Sequence, residues 1–237
     1  MFNNLLQWKI FLQDTGGGET YLHWLMNAWK WTLMVSGLGW IVALVAGVIF
    51  GIMRTLHNKI LIFIGNAWTE LFKNIPLLVQ IFIWYHVIPS IFPGLRQVSS
   101  LTLVVFGLGF FTSARISELV KAGIESLPKG QYQAGVALGL TPFQTYRYIV
   151  LPLAFRIILP PLTSEAMSII KNSSVAFAVS ISELTMFALQ AGEETSKNIE
   201  MLFAVTVLYF LSAFAVGRLS LFVEKCMRLP GTGGGQK

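Results

Sequence analysis

The sequence predicts an all-α protein that crosses a bilayer five times, and three observations carry that prediction. Of the 237 residues, 54% are hydrophobic and only 12% are charged, about half the charged share of a soluble domain. The apolar residues are gathered into runs of roughly 20, the length a helix needs to cross about 30 Å of hydrocarbon. Lys and Arg collect in the stretches between those runs. The net charge of +6 therefore follows from topology. No basic tract is interleaved with aromatics, so nucleic acid is not an expected partner. A single cysteine, Cys226, and three scattered histidines, His23, His57 and His86, leave no disulfide and no metal-ligand spacing.

Residues 1–27 are mixed and polar, with Gly16-Gly17-Gly18 between Asp14 and Glu19. No basic run is followed at once by an apolar core, so a cleaved signal peptide is not expected. Trp8, Trp24, Trp29 and Trp31 suggest an interfacial aromatic belt. The first span is Ala28–Ile52, with Gly37, Gly39, Gly47 and Gly51 as points of close helix approach. A basic turn, Arg54 to Lys59, follows. Residues 60–88 are apolar but interrupted by Glu70, Lys73, Asn74 and Pro76, which reads as an interfacial helix turning into a second span at Ile75–Ile91. Span three is Leu101–Val120. Arg115 and Glu118 lie three apart near its end and are expected to pair on one helix face. Span four, Tyr148–Ile170, holds Pro152, Pro160 and Pro161, tolerated where neighbours resatisfy the freed carbonyls. Residues 175–189 read as a re-entrant or partly inserted helix and 190–200 as a polar loop. Span five is Met201–Phe222. The tail, 225–237, ends in a glycine-rich stretch that lacks the strand and helix of a phosphate-binding loop.

Five spans place the termini on opposite sides. Of the seventeen Lys and Arg residues, twelve fall on the side of the loop after span three and of the tail, and five on the other. The positive-inside rule then puts the N-terminus outside and that loop in the cytoplasm.

The loop, 126–147, is not built like a passive connection. Pro128 suits the first turn of a short helix. That helix runs over Gln133, Ala134, Val136 and Ala137 and stops at Gly139, which accepts a left-handed cap. Thr141-Pro142-Phe143-Gln144 spells a capping box opening a second helix. Leu138, Leu140 and Phe143 offer apolar contact, while Gly135 and Ala137 allow close backbone approach. A loop that merely packs on its own membrane domain would also use such residues.

The run Gln133-Ala134-Gly135, then Gly139, then Ile149-Val150-Leu151-Pro152 resembles the EAA loop of ABC-importer permeases. That pattern is Glu-Ala-Ala, three residues, Gly, nine residues, Ile-x-Leu-Pro. Gln133 replaces the usual Glu and Gly135 the usual Ala. The resemblance implies the type I importer permease fold, with a membrane domain at 28–224. It also implies a cytoplasmic coupling helix that meets a separate ATPase through Gln133, Ala134, Gly135, Ala137, Leu138, Gly139, Leu140 and Phe143. ATP and Mg would be bound by that ATPase dimer and no cofactor by this chain, which is then a transport subunit and not an enzyme. The other implied partners are a second permease subunit, identical or different, and a periplasmic solute-binding protein, at the bacterial inner membrane.

Ionisable residues inside spans are functional hypotheses by default. Thr163-Ser164-Glu165 and Lys171-Asn172-Ser173 form the densest polar run at membrane depth. Glu165 has the charge for a substrate ammonium; Lys171, Asn172 and Ser173 can hold carboxylates. The alternative is an internal ion pair with hydroxyls repairing a proline-broken helix. Glu183 is open between a helix cap, a partner for Lys171 and a substrate contact. Glu70–Gln80, with Lys73 and Asn74, reads either as pathway lining or as a helix kink. Both runs resemble polar amino-acid permeases, and Gln190-Ala-Gly192 and Met227-to-Gly231 bring the resemblance nearest to the glutamate/aspartate branch. The expected function is ATP-driven import of polar, acidic amino acids. A glutamine permease of the same family, an ATP-independent carrier and a non-transporting membrane scaffold are the alternatives.

Overall fold

The computed structural model describes residues 8–227. Arg228, Lys237, most of the tail and most of the Met227-to-Gly231 motif lie outside the described residues. The long helices are α1 (Tyr21–Met53), α2 (Lys59–Asn74), α4 (Ser100–Glu125), α7 (Leu151–Asn172) and α9 (Asn198–Met227). Shorter ones are α3 (Leu77–Phe82), α5 (Lys129–Ala137), α6 (Pro142–Thr145) and α8 (Leu184–Thr195). Four helices are long and apolar enough to cross a membrane, and the bent pair formed by α2 with Leu77–Ile91 brings the number to five.

Local chemistry explains most boundaries. Pro76 sits in an extended conformation and separates α2 from α3; the residue before a proline is driven out of the helical region. Gln80, buried, donates its side-chain N–H to the Ile75 carbonyl at 2.8 Å, so the break leaves that carbonyl satisfied. Two π turns, Ile83–Val87 and Tyr146–Val150, each run up to a proline-containing segment, at Pro89 and Pro152. A proline ring crowds the carbonyl one turn back and leaves it without a donor; the wider turn moves that carbonyl aside. Pro160 and Pro161 lie inside α7 without ending it, and the Thr163 hydroxyl donates to the Leu159 carbonyl beside them.

Several boundaries differ from those expected. α1 starts at Tyr21, ahead of Ala28. The 175–189 segment is a 3-10 helix, Ser173–Val179, followed by a reversal at Ser180 (φ 61°) and then α8. The expected polar loop at 190–200 is largely helical, because α8 runs to Thr195 and α9 begins at Asn198. Two of the four tryptophans expected in an interfacial belt pack internally. Trp24 meets Phe187 edge to face at 5.1 Å, and Trp29 donates to the Ser212 hydroxyl at 2.8 Å.

The described chain forms two packing units: 8–42, 75–109 and 168–214, and 43–74, 110–167 and 215–227. In the first, Ile10 and Phe11 of a 3-10 helix (Trp8–Leu12) join Leu25, Phe187, Ala191 and Met201 in an apolar cluster. Glu183, fully buried, caps α8 by accepting the Thr185 and Met186 N–H groups at 2.9 and 3.0 Å, and it accepts the Tyr209 hydroxyl at 2.5 Å. Of the three roles open to Glu183, the helix cap is the one the structure has.

In the second unit, Trp68 stacks on Phe50 at 4.1 Å and meets Phe110 edge to face. Gly47 lets α1 approach α4 closely: a Cβ there would fall 2.6 Å from the Ile116 Cβ. Arg54 donates to Asn66 at 2.9 Å and to the Ser117 hydroxyl at 3.2 Å, and that hydroxyl also meets Thr69 at 2.9 Å. Arg54 is thus a packing residue as well as a loop charge.

Candidate functional site

The second unit carries the 126–152 segment, and its geometry is local. At the end of α5 the Gly139 N–H bonds to the Val136 carbonyl at 2.9 Å and the Leu140 N–H to the Gly135 carbonyl at 3.1 Å. With Gly139 at φ +75°, this is a Schellman ending, in which the left-handed residue lets two orphan carbonyls find donors. Thr141 then opens α6 with the expected capping box: its hydroxyl accepts the Gln144 N–H, and the Gln144 side chain accepts the Thr141 N–H at 2.9 Å.

The two faces of this pair of helices differ. Gly135 is buried against Thr145, where a Cβ would fall 2.7 Å from the threonine methyl. Gln133, Ala134, Ala137 and Gly139 are exposed and Leu140 is half-buried. Leu138 and Phe143 are 77% and 72% exposed. Apolar side chains displayed on adjoining turns of a polar segment mark an interaction surface. Behind the pair, a cavity of about 390 Å³ is lined by His57, Glu125, Tyr132 and Tyr146 among others.

The same unit holds Lys73, Asn74 and Glu165. Lys73 pairs with Glu118 at 2.6 Å, and Asn74 bonds to Glu70 one turn back. Glu165 is held by Arg115, whose Nε and Nη2 lie 3.1 and 2.9 Å from one oxygen, Oε1. The expected Arg115–Glu118 pair does not form. Each residue reaches a different neighbouring helix, because cross-helix partners of opposite charge lie nearer than the residue one turn along. Glu165 likewise takes Arg115 in preference to the internal partner considered for it. The first unit holds Lys171, exposed and without an ion-pair partner among the described residues, Asn172, half-buried, and Ser173, buried with its hydroxyl donating to the Ile170 carbonyl at 2.7 Å. Among the described residues no cluster of His, Cys, Asp or Glu is suited to a metal.

A helical bundle with broken spans, prolines at membrane depth and an exposed capped helix pair defines a multi-span transport subunit. The chain belongs to the family of binding-protein-dependent transport system inner membrane components, which it matches over residues 43–229. It is 39% identical to the glutamate/aspartate import permease protein GltJ of Escherichia coli (strain K12), across 97% of this chain and 98% of the relative. It is 30% identical to the glutamine transport system permease protein GlnP of the same strain, across 86% and 93%. Its fold superimposes on the crystal structure of an amino acid ABC transporter with histidines, with a TM-score of 0.75 at 25% identity, covering 87% of this chain and 95% of that one. An inward-facing MetNI methionine ABC transporter has the same fold, with a TM-score of 0.69 at 20% identity. The chain is therefore a membrane-embedded permease component of an ABC importer, and its role is transport, not catalysis.

Proposed function

We propose that this chain is the translocation subunit of an ATP-driven importer of acidic amino acids. The observation that carries the substrate class is the 39% identity to a glutamate/aspartate permease over nearly the full length of both chains. In this reading the membrane domain is 28–224, residues 1–27 lie on the periplasmic side of the inner membrane, and the 225–237 tail and the 126–147 loop are cytoplasmic. The twelve-to-five division of Lys and Arg supports that orientation.

The exposed face of α5 and α6, with Gln133, Ala134, Ala137, Leu138, Gly139 and Phe143, docks on a partner ATPase dimer that binds ATP and Mg. Gly135 and Leu140 hold the two short helices together behind it. A second permease subunit and a periplasmic binding protein complete the importer. ATPase closure moves the α5–α6 pair, and the permease halves expose the pathway to each side in turn; the energy enters as differential contact between the two states. Lys73, Asn74, Glu165, Lys171, Asn172 and Ser173 line the pathway. A glutamine permease is the second reading, supported by the 30% identity to such a protein.

The test is uptake of labelled glutamate, aspartate and glutamine by the chain reconstituted with its ATPase, companion permease and binding protein. ATP-dependent glutamate and aspartate uptake, lost on a bulky change at Gly139 that also loosens ATPase binding, is the expected result. Uptake of glutamine alone would move the substrate to the second reading. Uptake that ignores Gly139 would reduce the α5–α6 pair to a packed loop. Lys171→Ala is expected to lower uptake with ATPase binding kept.

A further inference from the structure

Two ion pairs of the second unit share one helix. Arg115 and Glu118 lie one turn apart on α4, and each bonds to a different neighbour: Arg115 to Glu165 of α7, Glu118 to Lys73 of α2. Arg115 is ten residues and Glu118 seven from the C-terminal end of α4 at Glu125, which at about 1.5 Å per residue puts them roughly 15 and 10 Å into the span. The side chains of Lys73, Glu118 and Arg115 are nevertheless 43%, 39% and 45% exposed. Charges at that depth do not face hydrocarbon, so this face of the unit meets a water-filled passage.

The pairs are also built to be exchanged. Arg115 aims two N–H groups at a single oxygen of Glu165, although a guanidinium binds most strongly to a carboxylate that offers both. Lys73 and Glu118 make one contact between two exposed side chains, the kind of pair that solvent weakens most. Glu118 and Glu165 end in the same carboxylate that an acidic amino acid carries on its side chain.

We propose that Lys73 and Arg115 are carboxylate-transfer sites. Glu118 and Glu165 neutralise them while the passage is empty, and the two carboxylates of an acidic amino acid replace those glutamates during passage. This rests on the acidic-substrate reading above and adds Arg115 and Glu118 to it. Glutamine, with one carboxylate, engages only one of the two cations, so the pairs also discriminate between these amino acids.

The test uses the assembled complex in detergent, without binding protein, and measures binding of labelled glutamate and glutamine. Glu118→Gln is expected to raise glutamate affinity tenfold or more and leave glutamine unchanged. Lys73→Gln and Arg115→Gln are expected to lower glutamate affinity at least tenfold and to narrow the preference over glutamine. Where a single variant fails to assemble, the swapped pair Lys73→Glu with Glu118→Lys restores opposite charges. A swapped complex that has lost the preference supports the proposal; one that binds glutamate as the wild type does marks the pair as a structural tie and overturns it. Wild-type ATP-driven glutamate uptake is measured first, and its absence counts against the substrate class instead. A wild-type complex that transports glutamate yet shows none of these shifts, or equal shifts for both amino acids, overturns the transfer sites alone.

Discussion

The Tyr146 hydroxyl donates to the Thr55 carbonyl at 3.0 Å, joining positions 91 residues apart. Thr55 belongs to the turn between α1 and α2, and Tyr146 follows directly on α6. The bond ties the exposed helix pair to the start of the membrane helices in its own unit. Tyr146→Phe keeps the ring against Tyr132 and removes only the bond, at a cost of about 1 kcal/mol. Reconstituted importer carrying it should hydrolyse more ATP per glutamate taken up than the wild type. An unchanged ratio would show that motion reaches the membrane by another route.

Gly139 distinguishes backbone geometry from side-chain size. At φ +75° a Cβ costs about 1–2 kcal/mol, and Asn suffers least among the alternatives. Gly139→Asn should therefore retain most ATPase association, whereas Gly139→Val should lose it, as read by co-purification of the ATPase. Equal loss in both would mean that contact at the surface, not the turn, is what the glycine protects.

Burial of Glu183 makes its cap sensitive to chemistry. Glu183→Ala leaves the Thr185 and Met186 N–H groups and the Tyr209 hydroxyl without their acceptor, a loss of about 2 kcal/mol or more. The midpoint of thermal unfolding in detergent should fall. Glu183→Gln keeps an acceptor oxygen and should fall less. A midpoint unmoved by either change would remove the cap from the list of what holds this unit together.

Close approach of α1 to α4 is the fourth target. Gly47→Leu forces a side chain into Ile116, and overpacking of this kind costs about 1–3 kcal/mol. Ile116→Ala opens the space, so the double variant should recover part of the loss. A double-mutant cycle in the same unfolding assay gives the coupling between the two positions; additive losses would mean that the helices do not meet there.

Features with a local cause were legible in the sequence. The apolar runs located the spans, and Thr141 with Gln144 announced the capping box, since both ends of the motif lie within one turn. Gly139 read correctly as a left-handed stop for the same reason. Features whose partners are distant were not legible. Arg115 and Glu118 had the spacing of a helix-face pair, but their actual partners lie 50 and 45 residues away, and only packing decides that choice. Glu183 is an uncommon capping residue, so the start of α8 carried no strong signal. The loop expected at 190–200 is helical because Tyr21 and neighbouring packing engage it: the Tyr21 hydroxyl donates to Glu194 at 3.2 Å.

The π turn at Tyr146–Val150 makes the length of this segment matter as much as its spelling. The Leu151 N–H reaches back to the Tyr146 carbonyl, so the turn holds one residue more than an α-helix would. Deleting a single residue there would restore ordinary winding and rotate everything beyond it by about 100°. Glu165 would swing off the side of α7 that faces Arg115, while every individual residue kept its identity. Substitutions in this stretch change one contact at a time, whereas a change of one in residue count rewrites the whole face of the helix that follows.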